Sequence, residues 1–186
     1  RVCNEFRKLL FAPAHTVCLG ADKRLERVAE GLAALVESGL HDCLEKNDWY
    51  LDFKLHPIFS EYASLYELDG SRIRIADRSV DEKSYKIFIT DFSSFCFDFV
   101  YLNKTMMYFV PDDEMFRAGM NDYRKLDLPL EEGFGPLALK PEEAVSYLCE
   151  LVNRNGEPES KYSDRMNGFF IHHDKNCRDR IYDAIK

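Results

Sequence analysis

Residues 89–99 read Ile89-Thr90-Asp91-Phe92-Ser93-Ser94-Phe95-Cys96-Phe97-Asp98-Phe99, or ITDFSSFCFDF. An apolar run ends in Thr-Asp, two hydroxyls follow, and aromatics resume. Phe95, Phe97, Phe99 and Tyr101 alternate, which alone suggests a strand, but the intervening Cys96 and Val100 are apolar too. The flanking segments decide the matter. Tyr85–Thr90 and Thr105–Val110 are both strand-like, and the 14 residues 91–104 lie between them. Parallel neighbours need a crossover of about that length, usually helical. The pattern therefore predicts a helix from about Ser94 to Leu102, and a parallel sheet on either side of it.

The rest of the chain fits that scheme. Leu9–Ala12 reads as a short buried strand stopped by Pro13. Over Asp22–Ser38, Leu25, Val28, Ala29, Leu32, Leu35 and Val36 fall on one helical face, with Gly39 as the stop. Trp49–Leu55 is the next strand, closed by His56-Pro57, and Ile73–Ile75 is another. Pro141-Glu142-Glu143 opens a helix to about Val152, since Pro suits the first helical position and acids suit the positive end of the helix dipole. A last helix is expected over Asn176–Ile185. Asn153–Asp164 reads as a polar loop, and Asp112–Pro136 as an irregular excursion at the sheet edge. Strands alternating with helices give an α/β class with a mostly parallel sheet.

The 186 residues suffice for one domain with a core, and 46% hydrophobic with 31% charged residues is ordinary globular composition. No apolar run reaches a membrane span and no signal peptide is visible. The chain begins Arg1-Val2-Cys3 without an initiator Met, as a piece of a longer protein would. Six scattered cysteines lack a CxxC pair, which argues against structural zinc and for reduced, buried thiols in a cytoplasmic protein. A net charge of -8 argues against a nucleic-acid binder and against a broad basic membrane face, but leaves room for one small basic pocket.

Two stretches carry candidate chemistry. Asp91, Phe92, Ser93 and Ser94 fall where a strand's carboxyl end turns into a helix start. Open α/β sheets bind ligands at that edge, and helix starts attract anions. The same residues equally suit a simple helix cap by Ser93 or Ser94 and a turn cap by Asp91. Lys54-Leu55-His56-Pro57 ends another strand at the same edge. A histidine there could donate to a phosphate or serve only as a turn residue.

Taken together, FKLHP at 53–57 and ITDFSSFCFD at 89–98 resemble the CDP-glycerol glycerophosphotransferase family, the bacterial teichoic-acid and capsule-type polymerases and primases. The similarity extends to Leu10-Phe11-Ala12-Pro13, to the segment after Lys104, to Gly135-Pro136 and to the tail His173–Ile181, and so covers about residues 8 to 186. It implies a GT-B architecture of which this chain is the C-terminal, Rossmann-like, nucleotide-binding half, a single domain over 1–186. It implies transfer of glycerol phosphate or a similar polyol phosphate from a CDP donor to an acceptor hydroxyl in cell-surface polymer synthesis. His56 would contact the donor pyrophosphate and stabilise charge on departing CMP. Lys54, Ser93 and Ser94 would hold phosphate, and Asp91 would fix the turn or meet the acceptor. The CDP-linked donor is the small-molecule partner. The catalytic base would come from an N-terminal domain of the same protein, absent from this chain. No cofactor, metal ligand set, nucleic-acid partner or membrane insertion is implied; the location is cytoplasmic, with the full-length enzyme at the inner face of the membrane.

The chain departs from the family pattern at several points. Ala14-His15 stand for Thr-Trp-Arg, Lys54 for Arg, Phe92 for Tyr and Thr105 for Pro. Lys54 in place of Arg loses a bidentate phosphate fork. The stretch between Ile75 and Asp91 is short and leaves Asp77 and Glu82 as the acids available for ribose. Two alternatives stay open: a GT-B nucleotide-sugar glycosyltransferase domain, and a degenerate interaction module.

Overall fold

The computed structural model describes residues 7–13, 30–55, 72–76, 79–111, 113–115 and 126–186. Six strands form one sheet: β1 (Lys8–Phe11), β2 (Tyr50–Phe53), β3 (Ile73–Ile75), β4 (Ile87–Thr90), β5 (Thr105–Phe109) and β6 (Leu137–Ala138). Their order is β3-β2-β1-β4-β5-β6, with every pairing parallel. The chain winds outward from β1 to β3, then returns to the other side of β1 at β4. This is the Rossmann order, and the reversal puts a crevice at the carboxyl ends of β1 and β4.

Both faces of the sheet are covered, so the central strands are apolar throughout rather than alternating. Leu9 and Phe11, Ile87 and Ile89, and Met107 and Phe109 point to one side. There they meet Leu32 and Leu35 of α1 (30–37), Leu40 and Leu44 of α2 (Leu40–Asn47), and Ala144, Val145, Leu148, Leu151 and Val152 of α5 (Pro141–Asn153). Leu10, Phe88 and Met106 point to the other side, against Phe99 and Val100 of α3 (Cys96–Tyr101) and Tyr162 and Met166 of α6 (Ser160–Phe169). Phe88 and Phe99 stack with ring centroids 4.0 Å apart. A single turn, α4 (Asp113–Met115), follows β5, and α7 (Cys177–Ala184) ends the chain with no buried side chain.

Several expectations are corrected. Asn153–Asp164 is not all loop, because α6 begins at Ser160; only Tyr162 and Met166 of that helix are buried, so its sequence has almost no apolar stripe. α2 and the two-residue β6 went unread. Gly39 does end α1, with φ 95°, but α2 starts at the next residue. Val36 faces water rather than the core. Tyr85 precedes β4 instead of opening it: its hydroxyl donates to the buried Asp52 carboxylate at 2.7 Å, which also accepts from Arg74. Residues 22–29 of the expected first helix lie outside the described residues.

The cysteines are corrected in part. α2 packs beside α5, bringing the Cα atoms of Cys43 and Cys149 to 5.9 Å, and their sulfurs are bonded as a disulfide. Such a separation is what a disulfide spans. Cys96 is a buried free thiol, and Cys177 is free and exposed.

Gly135 explains the Gly-Pro motif. A Cβ there would stand 2.0 Å from the Met106 carbonyl oxygen, so only glycine lets this segment lie against β5 and offer the Pro136 carbonyl to the Tyr108 N–H at 2.8 Å.

Candidate functional site

The crevice at the sheet's carboxyl edge is drawn together by hydrogen bonds that cross it. The Thr90 hydroxyl, wholly buried at the end of β4, donates to the Ala12 carbonyl at 2.9 Å, and the Ala12 N–H donates to Ile89 at 3.0 Å. On the other side of β1 the Lys54 N–H donates to the Phe11 carbonyl at 2.8 Å. These bonds seat Ala12-Pro13 between Lys54-Leu55 and the turn after β4. All three segments line one cavity of about 350 Å³, closed by Ser93, Ser94, Phe95 and Asp98.

The turn after β4 is both cap and cavity wall. The Ser93 Oγ accepts from the Phe95 N–H at 3.3 Å, and the Ser93 and Ser94 carbonyls accept from Cys96 and Phe97, each at 3.1 Å. The chain thus enters α3 through a tight i→i+3 turn that the Ser93 hydroxyl braces, with Phe95 at the N-cap position. Phe95 pins the turn from beneath, edge-on to Phe88 and Phe99 with centroids 5.4 Å from each. Ser94 is exposed, and among the described residues its hydroxyl has no hydrogen-bond partner. Nor do the backbone N–H groups of Ser93 and Ser94. The two serines thus differ: Ser93 spends its oxygen on the backbone, while the Ser94 hydroxyl is exposed at the cavity wall.

Charge in the cavity is mixed. Burial holds the Lys54 ammonium below its ordinary value, and the Glu82 carboxylate offsets part of that. Asp98 brings a carboxylate to the same wall. The thiol of Cys96 is no nucleophile, because burial pushes it up to about 12. A cation and several N–H and O–H donors suit phosphate oxygens, whereas an acceptor-only carboxylate suits hydroxyls or amines.

Of the expected site residues, Lys54, Ser93 and Ser94 come together in this cavity. Asp91 lies in the same turn, half-buried, but is not among the described residues that line the cavity. His56, Pro57 and Asp77 lie outside the described residues, although His56 follows directly on Leu55 of the cavity wall. Asp98 was not foreseen. Its signal is the i,i+4 spacing from Ser94, which puts both on one helical face once the start of α3 is known. Among the described residues no group of three His, Cys, Asp or Glu could hold a metal ion, and no helix is long and apolar enough to cross a membrane.

Comparison with known proteins follows the same lines. The profile of the CDP-Glycerol:Poly(glycerophosphate) glycerophosphotransferase family matches residues 9–186. The minor teichoic acid biosynthesis protein GgaB of Bacillus subtilis (strain 168) is 30% identical over 158 residues, covering 82% of this chain and 17% of its own length. The teichoic acid poly(glycerol phosphate) polymerase of the same organism is 27% identical over 138 residues, 70% of this chain. The chain thus spans 17% of the length of either relative. Among solved structures, a variant of the wall teichoic acid polymerase TagF superposes over 98% of this chain and 44% of its own, with a TM-score of 0.66 at 18% identity. UDP-GlcNAc 2-epimerase of Methanocaldococcus jannaschii, in complex with UDP-GlcNAc and UDP, superposes over 96% of this chain with a TM-score of 0.51 at 16% identity. At such identities the likeness is one of fold.

Proposed function

The chain belongs to the CDP-glycerol:poly(glycerophosphate) glycerophosphotransferase family, and from that membership we propose that it is a donor-binding domain, the C-terminal half of a GT-B transferase. The donor is CDP-glycerol or a similar CDP-polyol, and the acceptor is a hydroxyl of a cell-surface polymer made at the cytoplasmic face of the membrane. The observation that supports this reading is the cavity at the carboxyl ends of β1 and β4, where Lys54 and the paired serines meet.

In this reading the donor pyrophosphate lies against the Ser94 hydroxyl and the N–H groups of Ser93 and Ser94, with Lys54 supplying charge. Asp98 would repel phosphate, so it accepts from the ribose hydroxyls. In the reaction the acceptor oxygen forms a bond to the phosphorus that carries the glycerol. The bond from that phosphorus to the bridging oxygen breaks, CMP leaves with the electron pair, and the acceptor's proton goes to a base. His56, next in the chain to Leu55, would stabilise charge on the departing CMP; Asp91 would hold the turn. The base and the acceptor surface belong to a second domain.

The test is titration of the chain with CDP-glycerol, CDP, UDP and ADP, alongside a CMP-release assay. Weak binding of CDP compounds at about 0.1–1 mM without turnover is expected. Turnover by this chain alone overturns the two-domain reading, and no binding of any nucleotide at several times that concentration overturns the donor-site reading. In an enzyme carrying both domains, His56→Ala should cut turnover by about 10²-fold; an unchanged rate would leave His56 a turn residue.

A further inference from the structure

On the side of the sheet away from α3, Cys43 in the middle of α2 meets Cys149 near the end of α5. The two are 106 residues apart in sequence, their Cα atoms are 5.9 Å apart, and their sulfurs are bonded. We propose that this pair is a reversible redox staple. It is a dithiol in the reduced chain and a disulfide in the oxidised one; the fold is the same in both, and its stability depends on which form is present. The inference is independent of what the cavity at the sheet's carboxyl edge binds.

The first argument is that the fold around the bond is complete without it. Disulfides that a domain needs in order to fold belong mostly to small chains that lack a sufficient core. Here Leu40 and Leu44 of α2 and Leu148 of α5 are wholly buried, in one cluster with the strand side chains beneath them. α2 is also held at both ends by groups other than sulfur. Gly39 and Asp48 take left-handed conformations before and after it, the Trp49 N–H donates to the Leu44 carbonyl at 2.9 Å, and the Asp48 carboxylate pairs with Arg72 at 2.8 Å. With the bond cut, packing still presents the two thiols to each other, and a buried thiol is tolerated as a small apolar group. Two groups held at such a separation close far more readily than two groups free in solution.

The second argument is access. Cys43 is 6% exposed, whereas Cys149 is half-buried at the margin of the cluster. A small disulfide such as oxidised glutathione therefore reaches Cys149 first. The Cys149 thiolate attacks one glutathione sulfur and expels the other half as a glutathione thiolate. The Cys43 thiolate then attacks Cys149 Sγ in the mixed disulfide and expels the second glutathione. Two protein thiols are oxidised, one glutathione disulfide is reduced to two thiols, and the two protons lost by the cysteines end on the two glutathione sulfurs. Among the described residues the other cysteines do not compete: Cys96 is buried on the opposite face, and Cys177 stands exposed on α7.

The consequence follows from what the bond encloses. The loop from Cys43 to Cys149 holds β2 to β6, five of the six strands, together with the cavity residues 54–55 and 93–98. Closing so long a loop takes much freedom from the unfolded chain. Oxidation thus stabilises the folded chain without altering a residue at the cavity.

The test is to equilibrate the whole chain in glutathione buffers from fully reduced to fully oxidised, quench with acid, alkylate, and read the Cys43–Cys149 link by peptide mass mapping. Calorimetry and circular dichroism are run on the same samples. The link should go from nearly absent to nearly complete across the series. The oxidised chain should melt about 5–15 °C above the reduced one, with the same circular dichroism spectrum at room temperature. Cys43→Ala and Cys149→Ala should each melt at one temperature in every buffer, and Cys43→Ala should trap more glutathione as mixed disulfide, because it keeps the outer thiol. No link in the most oxidised buffer, or equal melting of the two forms, overturns the inference. A link that the most reducing buffer leaves intact, or a reduced chain unfolded at room temperature, also overturns it, since either makes the bond a fixed structural one. A redox-dependent melt that persists in Cys43→Ala assigns the effect to another cysteine and overturns it too.

Discussion

Two adjacent serines with different hydrogen bonds give a test that a cap and a ligand site answer differently. Ser93 accepts from the Phe95 N–H at 3.3 Å, while the exposed Ser94 hydroxyl has no partner among the described residues. Ser93 precedes the α3 N-cap, Phe95, by two residues, but its oxygen accepts from the backbone as a capping oxygen does, and removing such an oxygen costs about 0.5–2 kcal/mol. A contact as long as this one, at the start of a six-residue helix, belongs in the lower half of that range. In a chain of this size about 0.5–1 kcal/mol lowers the melting temperature by about 1–4 °C. Ser94→Ala removes nothing from the folded chain and should stay within about 1 °C of the native value. Nucleotide binding should respond differently. Loss of one donor to a charged phosphate is worth about 1.5–3 kcal/mol, so Ser94→Ala should weaken CDP about 10- to 100-fold. Scanning calorimetry gives the first quantity, and chemical-shift titration by NMR gives the second even at millimolar affinity. If Ser94→Ala melts as early as Ser93→Ala, or binds CDP as the native chain does, the division of labour between the serines is wrong.

Three further outcomes are expected. Gly135→Ala should lower the melting temperature by about 6–12 °C, from about 3 kcal/mol or more of overpacking, because the new Cβ would meet the Met106 backbone rather than a movable side chain; an unchanged melt would refute that. Lys54, held below its ordinary 10.5, should lose its proton and its pull on phosphate at a lower pH than an exposed lysine, so CDP affinity should fall below pH 10.5 in the native chain and later in Lys54→Arg. For stability the sign is the reverse: a depressed folded value means the Lys54 contribution is fully present above 10.5 and is lost as pH falls through the lowered value. Under native conditions at about pH 8, iodoacetamide should label exposed Cys177 readily and spare Cys96 until the chain is unfolded, as read by peptide mass mapping.

What the sequence made legible follows from which residues each element buries. β1, β4 and β5 are enclosed on both faces, so they read as short apolar runs; β2 buries Leu51 and Phe53 on one face and carries the hydrogen-bonded Asp52 on the other; and α5 carries a full apolar stripe behind its initial Pro141. α6 hides just two side chains and β6 has only two residues, so neither leaves a pattern to read. At the site, the Thr-Asp-Phe-Ser-Ser turn was legible because strand, hydroxyls and crossover length agree on one edge. Asp98 stood in the same quoted stretch, yet its place on the cavity wall depends on where α3 begins, and that was set by the tight turn at Ser93 rather than by any periodicity. Nor did composition hint that Glu82 lines a cavity with Phe97, Tyr101 and Phe170.

The cavity's walls come from residues 12–13, 54–55 and 93–98, so no local segment contains it. Its centre is the seam where Leu9 lies opposite Ile87, two positions remote in sequence. Closing that seam costs loop entropy that only the finished core offsets, and such non-local pairing is slow to form. The proposed binding site would thus also be a marker of folding: its walls come together when β4 docks on β1. A nucleotide bound there would meet only finished molecules, and by mass action would draw the population toward them. On the proposed donor reading, ligand concentration and the fraction of chain that has completed its sheet are coupled, and the rate at which a refolding chain acquires the ability to bind CDP would report when the two halves of the sheet join.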